Sequence, residues 1–171
     1  LQSGHVLNAK ELERLIDEIV AITDSMSKTR TGALIVFERE VGLNDYIDTG
    51  VPIDGVVSRE LLGNIFIPNT PLHDGAVIIR ENRIMAAGCL LPLTADRSLS
   101  TELGTRHRAA IGLSEMADAV VVVVSEETGS ISYTYGGHIY RHLDSNALRN
   151  VLKTFLNKTP QGLANIFKWR P

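Results

Sequence analysis

The sequence predicts an α/β fold: a mixed, twisted β-sheet flanked by helices. Three observations predict it. Short apolar runs too hydrophobic for one-sided strands recur along the chain, above all Ala119 to Val124. Segments with apolar residues at three- and four-residue steps lie between them, as surface helices require. Tight turn sequences join some of the strands directly, so antiparallel pairs must stand beside helix-connected ones.

Taken in order, Asn8 to Ser27 reads as a helix with one apolar stripe of Leu12, Leu15, Ile16, Ile19, Val20, Ile22 and Met26. Asn8 can cap it, with Glu11 as capping-box partner. The stripe is expected to be core or a docking face. Gly32 to Phe37 is a candidate buried strand, and Asn44 to Thr49 a short helical turn. Ser58 can cap a helix running to about Phe66. Ile67 to Gly75 holds Pro68, Pro71 and Gly75, which forbid regular structure. Ala76 to Arg80 and Ile84 to Leu91 form a hairpin around Glu81-Asn82-Arg83. Thr101 to Ala117 is mostly helical, Ala119 to Ser125 is a strand, and Glu126 to Gly129 turns into a further strand, Ser130 to Tyr135. After Gly136-Gly137, Asp144 or Ser145 caps a last helix ending near Asn157, and a weakly ordered tail is expected beyond it.

The 171 residues, 44% of them hydrophobic, suit one domain spanning 1–171: an amphipathic helix at about 6–27, a core at 28–157 and the tail at 158–171. The single cysteine, Cys89, excludes an intrachain disulfide and reads as a small core residue. Seventeen basic against twenty acidic residues leave a net charge of −3, so nucleic-acid binding has no global electrostatic support. The longest apolar run is well short of the roughly 18 residues a membrane span needs, so the chain is expected to be soluble. Leu1-Gln2-Ser3-Gly4-His5 lacks an initiator Met, and the chain is expected to be part of something larger.

Three loops carry chemistry-bearing residues. In Pro71-Leu72-His73-Asp74-Gly75-Ala76, a carboxylate stands at the mouth of a strand beside a residue without a side chain. Asp74 could hold a metal or accept from a hydroxyl, and Gly75 would let a ligand approach the backbone. An ordinary Asp-Gly turn is the plainer alternative. Gly104-Thr105-Arg106-His107-Arg108 puts two guanidiniums and a hydroxyl at a helix start, a combination suited to phosphate, or else a solvated helix face. Ser125-Glu126-Glu127-Thr128-Gly129 sets adjacent carboxylates at the end of a buried strand, where they could bind a divalent cation or merely make an acidic turn. His138 and His142 lack the helix and the glutamate of a zincin motif, and there is no Rossmann glycine fingerprint or Walker lysine motif.

Together the three loops resemble the diadenylate cyclases, DAC-domain proteins that join two ATP molecules into cyclic di-AMP. The family's Asp-Gly-Ala motif stands as Asp74-Gly75-Ala76, and its Arg-His-Arg motif as Arg106-His107-Arg108. The resemblance extends over residues 10–157 and includes Gly32 to Val36, Asn64 to His73 and Val123 to Gly129. The N-terminal helix resembles the membrane-anchored CdaA class, whose transmembrane helices lie upstream. The resemblance implies a mixed twisted sheet, one ATP per subunit, and two subunits face to face as a homodimer or higher oligomer. It implies Mn²⁺ or Mg²⁺, with Co²⁺ as a further possibility. It also implies a parent protein at the cytoplasmic face of the cell membrane, and regulators such as a phosphoglucosamine mutase.

The residue roles it implies are these. Asp74 acts near the ribose 3′-hydroxyl, directly or through the metal. Gly75 and Ala76 offer backbone contact. Gly104, Thr105, Arg106, His107 and Arg108 hold the phosphates, and Ser125, Glu126 and Glu127 lie against phosphate or metal. His73 joins Asp74 and Glu127 as a metal candidate, and Leu34, Leu72 and Leu90 make part of an adenine slot. Two other readings predict different behaviour: a non-catalytic ATP or cyclic di-AMP binding module, and an interaction domain that docks a partner on its N-terminal helix.

Overall fold

A computed structural model describes residues 7–157, so the expected tail at 158–171 lies outside the described residues. The elements run α1 (Ala9–Thr29), β1 (Ala33–Glu38), α2 (Asn44–Ile47), β2 (Val51–Val56), α3 (Arg59–Ile65), β3 (Ala76–Arg80), β4 (Arg83–Cys89), α4 (Thr105–Met116), β5 (Ala119–Val124), β6 (Ile131–Tyr135), β7 (His138–Tyr140) and α5 (Ser145–Leu156). The seven strands form one sheet in the order β2-β4-β3-β1-β5-β6-β7. Among the described strands only β1 and β3 pair in parallel; the other neighbours are antiparallel, so the sheet is mixed as expected.

Strands at the centre are apolar on both faces because each face meets a separate layer. Along β5, Val122 and Val124 join the layer of α1, α3 and α5, while Ala119, Val121 and Val123 face α4. In β1, Ile35 and Phe37 face α1, while Leu34 and Val36 face α4. The α1 stripe is core rather than a docking face: Leu15, Ile16, Ile19, Val20, Ile22 and Met26 are all buried against the sheet. A side chain of this kind contributes about 1.5–3 kcal/mol on burial, so the stripe secures α1 firmly.

The expected caps form. Asn8 Oδ1 accepts from Glu11 N at 2.8 Å, Ser58 Oγ from Leu61 N at 3.0 Å, and Asp144 Oδ1 from Ala147 N at 2.7 Å. Two short strands escape the sequence pattern, and both lie at sheet edges. In β2 the pattern is hidden by Pro52, Asp54 and Gly55. Its register shifts between Pro52 and Gly55, and Asp54 there has a φ of 50°. An edge strand tolerates such breaks because one side of its ladder is unpaired. The helix expected from Thr101 begins at Thr105, with Gly104 extended at φ −82° and ψ −169°. Leu103 and the residues before it form an irregular approach.

Register decides where the three candidate loops go. β3 runs parallel to β1, and both β4 and β5 run antiparallel to that pair. The starts of β1 and β3 therefore lie at the same sheet edge as the ends of β4 and β5. Ala33 pairs with Val124, and Ala76 with Cys89.

Candidate functional site

At this edge lies a cleft of about 570 Å³, within the roughly 300–1,000 Å³ usual for ligand pockets. All three loops open into it. His73, Asp74 and Gly75 come from the first, Gly104, Thr105, Arg106 and His107 from the second, and Ser125, Glu126 and Glu127 from the third. An apolar hollow near the opposite ends of β1 and β3, lined in part by Leu15, Phe37 and Ile79, has only about 20 Å³, room for a single water.

In the first loop, His73 Nδ1 lies 2.6 Å from Thr70 O. A carbonyl only accepts, so Nδ1 is the donor in this contact and Nε2 is the ring nitrogen left for another partner. That is the orientation a metal-binding histidine commonly has. Asp74 is exposed at the cleft. Gly75 has a φ of 104°, which favours glycine, and an added Cβ would lie 2.7 Å from Cys89 O. The side a Cβ would occupy is filled by the backbone of β4, which requires glycine here, while Gly75 itself lines the cleft. Ala76 is fully buried in the α4-side core and does not line the cleft.

The second loop is the start of α4. No side chain caps this helix and no acidic residue occupies its first turn. Its first backbone N–H groups therefore retain capacity for an anion, favoured by the helix dipole. Arg106 Nη1 sits 3.3 Å from Glu126 Oε2, so the second and third loops touch. His107 is buried and its Nδ1 has no partner. Burial first, then the positive charges of Arg141 and Arg106, hold its pKa below the usual imidazole value. The neutral imidazole is therefore favoured, which leaves charge neutralisation in the cleft to arginine. Arg108 faces elsewhere: its Nη1 donates to Asp96 O at 3.4 Å, outside the cleft lining.

In the third loop, Ser125 Oγ accepts from Glu127 N and Thr128 N, each at 3.2 Å. Its own proton stays free to be donated. Leu34 and Leu90 line the cleft, whereas Leu72 packs against the α1-side core. Cys89, Leu91, Leu93 and Glu102 also line the cleft and were not anticipated there. Cys89 is core as expected, and burial pushes its thiol up to about 11, so it is an inert protonated floor. Glu102 is approached by Arg141 Nη1 at 3.4 Å, from the segment after β7. The strand period at the end of β4 hinted at Leu91; nothing local in the sequence pointed to Arg141.

Among the described residues no three His, Cys, Asp or Glu side chains form a cluster able to hold a metal ion. The donors present still fit one kind of cation. Mg²⁺ and its relatives take one or two protein ligands and fill the rest of the shell with water and substrate phosphate. The exposed Asp74 carboxylate suits that arrangement, and His73 adds a nitrogen donor that Mn²⁺ or Co²⁺ accepts more readily than Mg²⁺.

Sheet, helix start and cleft define the class: a three-layer α/β domain with a cleft at one end of its central strands, where an uncapped helix start and Arg106 offer donors suited to an anion. Residues 20–139 match the DAC family, described as DisA bacterial checkpoint controller nucleotide-binding, and the chain belongs to that family. It is 48% identical over 159 residues to the cyclic di-AMP synthase CdaA of Bacillus subtilis, which covers 92% of this chain but only 58% of that protein. The fold is similar to the crystal structure of a DacA double mutant from Staphylococcus aureus, with a TM-score of 0.85 and 49% identity over 86% of this chain and 99% of that one. It is also similar to a chain from Bacillus cereus described as a hypothetical membrane spanning protein, with a TM-score of 0.72 and 46% identity over 74% of this chain and 62% of that one.

Proposed function

We propose that this chain is the catalytic domain of a diadenylate cyclase, condensing two ATP into cyclic di-3′,5′-AMP with release of two pyrophosphates. The single observation that carries the reading is the convergence of Asp74, the uncapped start of α4 with Arg106, and Ser125 to Glu127 on one cleft of about 570 Å³. That volume suits one nucleotide. A second must come from another subunit, face to face, in a homodimer or higher oligomer.

Asp74 accepts the proton of a ribose 3′-hydroxyl. The 3′-oxygen forms a bond to the α-phosphorus of the opposing ATP. The bond from that phosphorus to the bridging oxygen breaks, and pyrophosphate leaves with the electron pair. A second, equivalent step closes the ring. The backbone N–H groups of Gly104 to Arg106 and the Arg106 guanidinium hold the phosphates and offset the charge that builds on the leaving group. Neutral His107 and the Ser125 hydroxyl orient rather than neutralise. A divalent cation, Mn²⁺, Mg²⁺ or Co²⁺, held by Asp74 and His73 with Glu127 nearby, would add Lewis-acid polarisation of the phosphates. Leu34 and Leu90 flank the base.

None of the described helices is long and apolar enough to cross a membrane. By likeness to longer relatives, we read the whole protein as anchored at the cytoplasmic face of a membrane, with protein regulators such as a phosphoglucosamine mutase among its partners. The deciding experiment incubates the chain with ATP and Mn²⁺, then with ATP and a chelator, and looks for cyclic di-AMP by chromatography and mass. Metal-dependent product is expected. ATP binding without product at any chain concentration would favour the non-catalytic binding module, and no ATP binding would overturn both.

A further inference from the structure

We infer that the junction from Ser27 to Gly32, where α1 ends and β1 begins, is a positioning element that holds two of the three cleft loops in register, with Ser27 as its principal positioning residue. None of this segment lines the cleft, yet it touches both loops from behind. The Ser27 hydroxyl donates to Gly129 O at 2.6 Å, across 102 residues of sequence. Arg30 Nη1 donates to Glu127 O at 3.3 Å. α1 stops just there because Arg30 takes a left-handed conformation at φ 52° and returns its N–H to Met26 O and Ser27 O.

The fit leaves no slack. Gly129 has a φ of 75°, and any Cβ on it would collide with Ser27 O. The Ser125–Gly129 turn is braced from within by Ser125 Oγ and from outside by the end of α1. The same junction reaches the second loop. The Arg106 guanidinium lies over Gly32, where an added Cβ would collide with Nη1 and come within 2.5 Å of Cζ. Glu126 then links the turn to Arg106 at 3.3 Å. The junction, the turn and the start of α4 thus form a closed circuit of contacts that runs from behind the cleft into its lining. An exposed ion pair such as Arg106 with Glu126 fixes little alone. Gly32 and the braced turn flank the guanidinium on two sides.

The consequence for the nucleotide rests on the function proposed above; the positioning itself does not. The test compares the unaltered chain with Ser27→Ala and Ser27→Thr. It reads the Arg106 side-chain Nε–H and the Glu127 amide by NMR, and ATP affinity in Mg²⁺ by titration calorimetry. Ser27→Ala is expected to shift both signals and to weaken ATP by about fivefold, the change one ordinary net hydrogen bond corresponds to. Ser27→Thr, which keeps the hydroxyl, is expected to restore both. An unmoved Arg106 signal in Ser27→Ala would overturn the inference whatever the affinity. So would a loss of affinity that Ser27→Thr does not recover, whereas a shifted signal with unchanged affinity would uphold the positioning and overturn its consequence for the nucleotide. If the unaltered chain binds no ATP while the Arg106 and Glu127 signals still move, the functional reading fails and the positioning stands.

Discussion

At the scale of single residues, Asp74 and His107 carry opposite lessons. Asp74 is exposed and sits in the loop that closes on the start of β3. Its proposed task is to take a proton, so Asp74→Asn should abolish cyclic di-AMP formation while ATP affinity changes little. Parallel turnover and binding assays check this, and undiminished turnover would remove the role. His107 is legible as a histidine in a basic motif, but its burial is not. Burial and the charges of Arg141 and Arg106 depress its pKa below the ordinary 6.5. In the unfolded chain it titrates near that ordinary value, so as pH falls below it the unfolded state takes up a proton that the folded state refuses. The associated stability is therefore present above about pH 6.5 and lost as pH falls. The thermal midpoint of the native chain should drop between pH 7.5 and pH 5.5, and His107→Gln should lose part of that drop. An identical pH dependence in the two chains would contradict it.

At the scale of elements, α4 shows what helical geometry does to a linear motif. Arg106 and Arg108 are two residues apart, about 200° around a helix of 3.6 residues per turn. They cannot both face one cleft. Arg106 lines it, while Arg108 reaches to Asp96 O. A charged hydrogen bond is worth about 1.5–3 kcal/mol, roughly ten- to a hundredfold in affinity. Arg106→Ala should weaken ATP by that much and Arg108→Ala by clearly less, when each isolated chain is titrated with ATP. Equal losses would mean that Arg108 turns into the cleft when nucleotide binds. The periodicity of α1, the caps at Asn8, Ser58 and Asp144, and the Val-rich β5 were all readable because each depends on neighbours a few residues away. β2 and β7 were not, since their pairing partners are what make them strands.

At the scale of the whole molecule, a cleft sized for one nucleotide makes the proposed reaction concentration-dependent. Specific turnover should rise with chain concentration and level off once pairs are filled, measured from initial rates over a dilution series. Turnover per chain that stays constant on dilution to single subunits would mean that one chain does the chemistry alone. By itself the sequence determined the mixed α/β class, the order of most elements and the three loops with their chemistry. Local spacing and residue type are enough for those. Tertiary structure alone decided that the loops converge, because the parallel pairing of β1 with β3 and the antiparallel pairing of β4 and β5 bring four strand ends to one edge. It also decided that Leu72, Ala76 and Arg108 leave the cleft while Cys89, Leu93 and Glu102 join it. The contact of Ser27 with Gly129 belongs to the same class of fact. Nothing local in a chain records which distant backbone a hydroxyl will meet; only the packing of α1 on the sheet sets it.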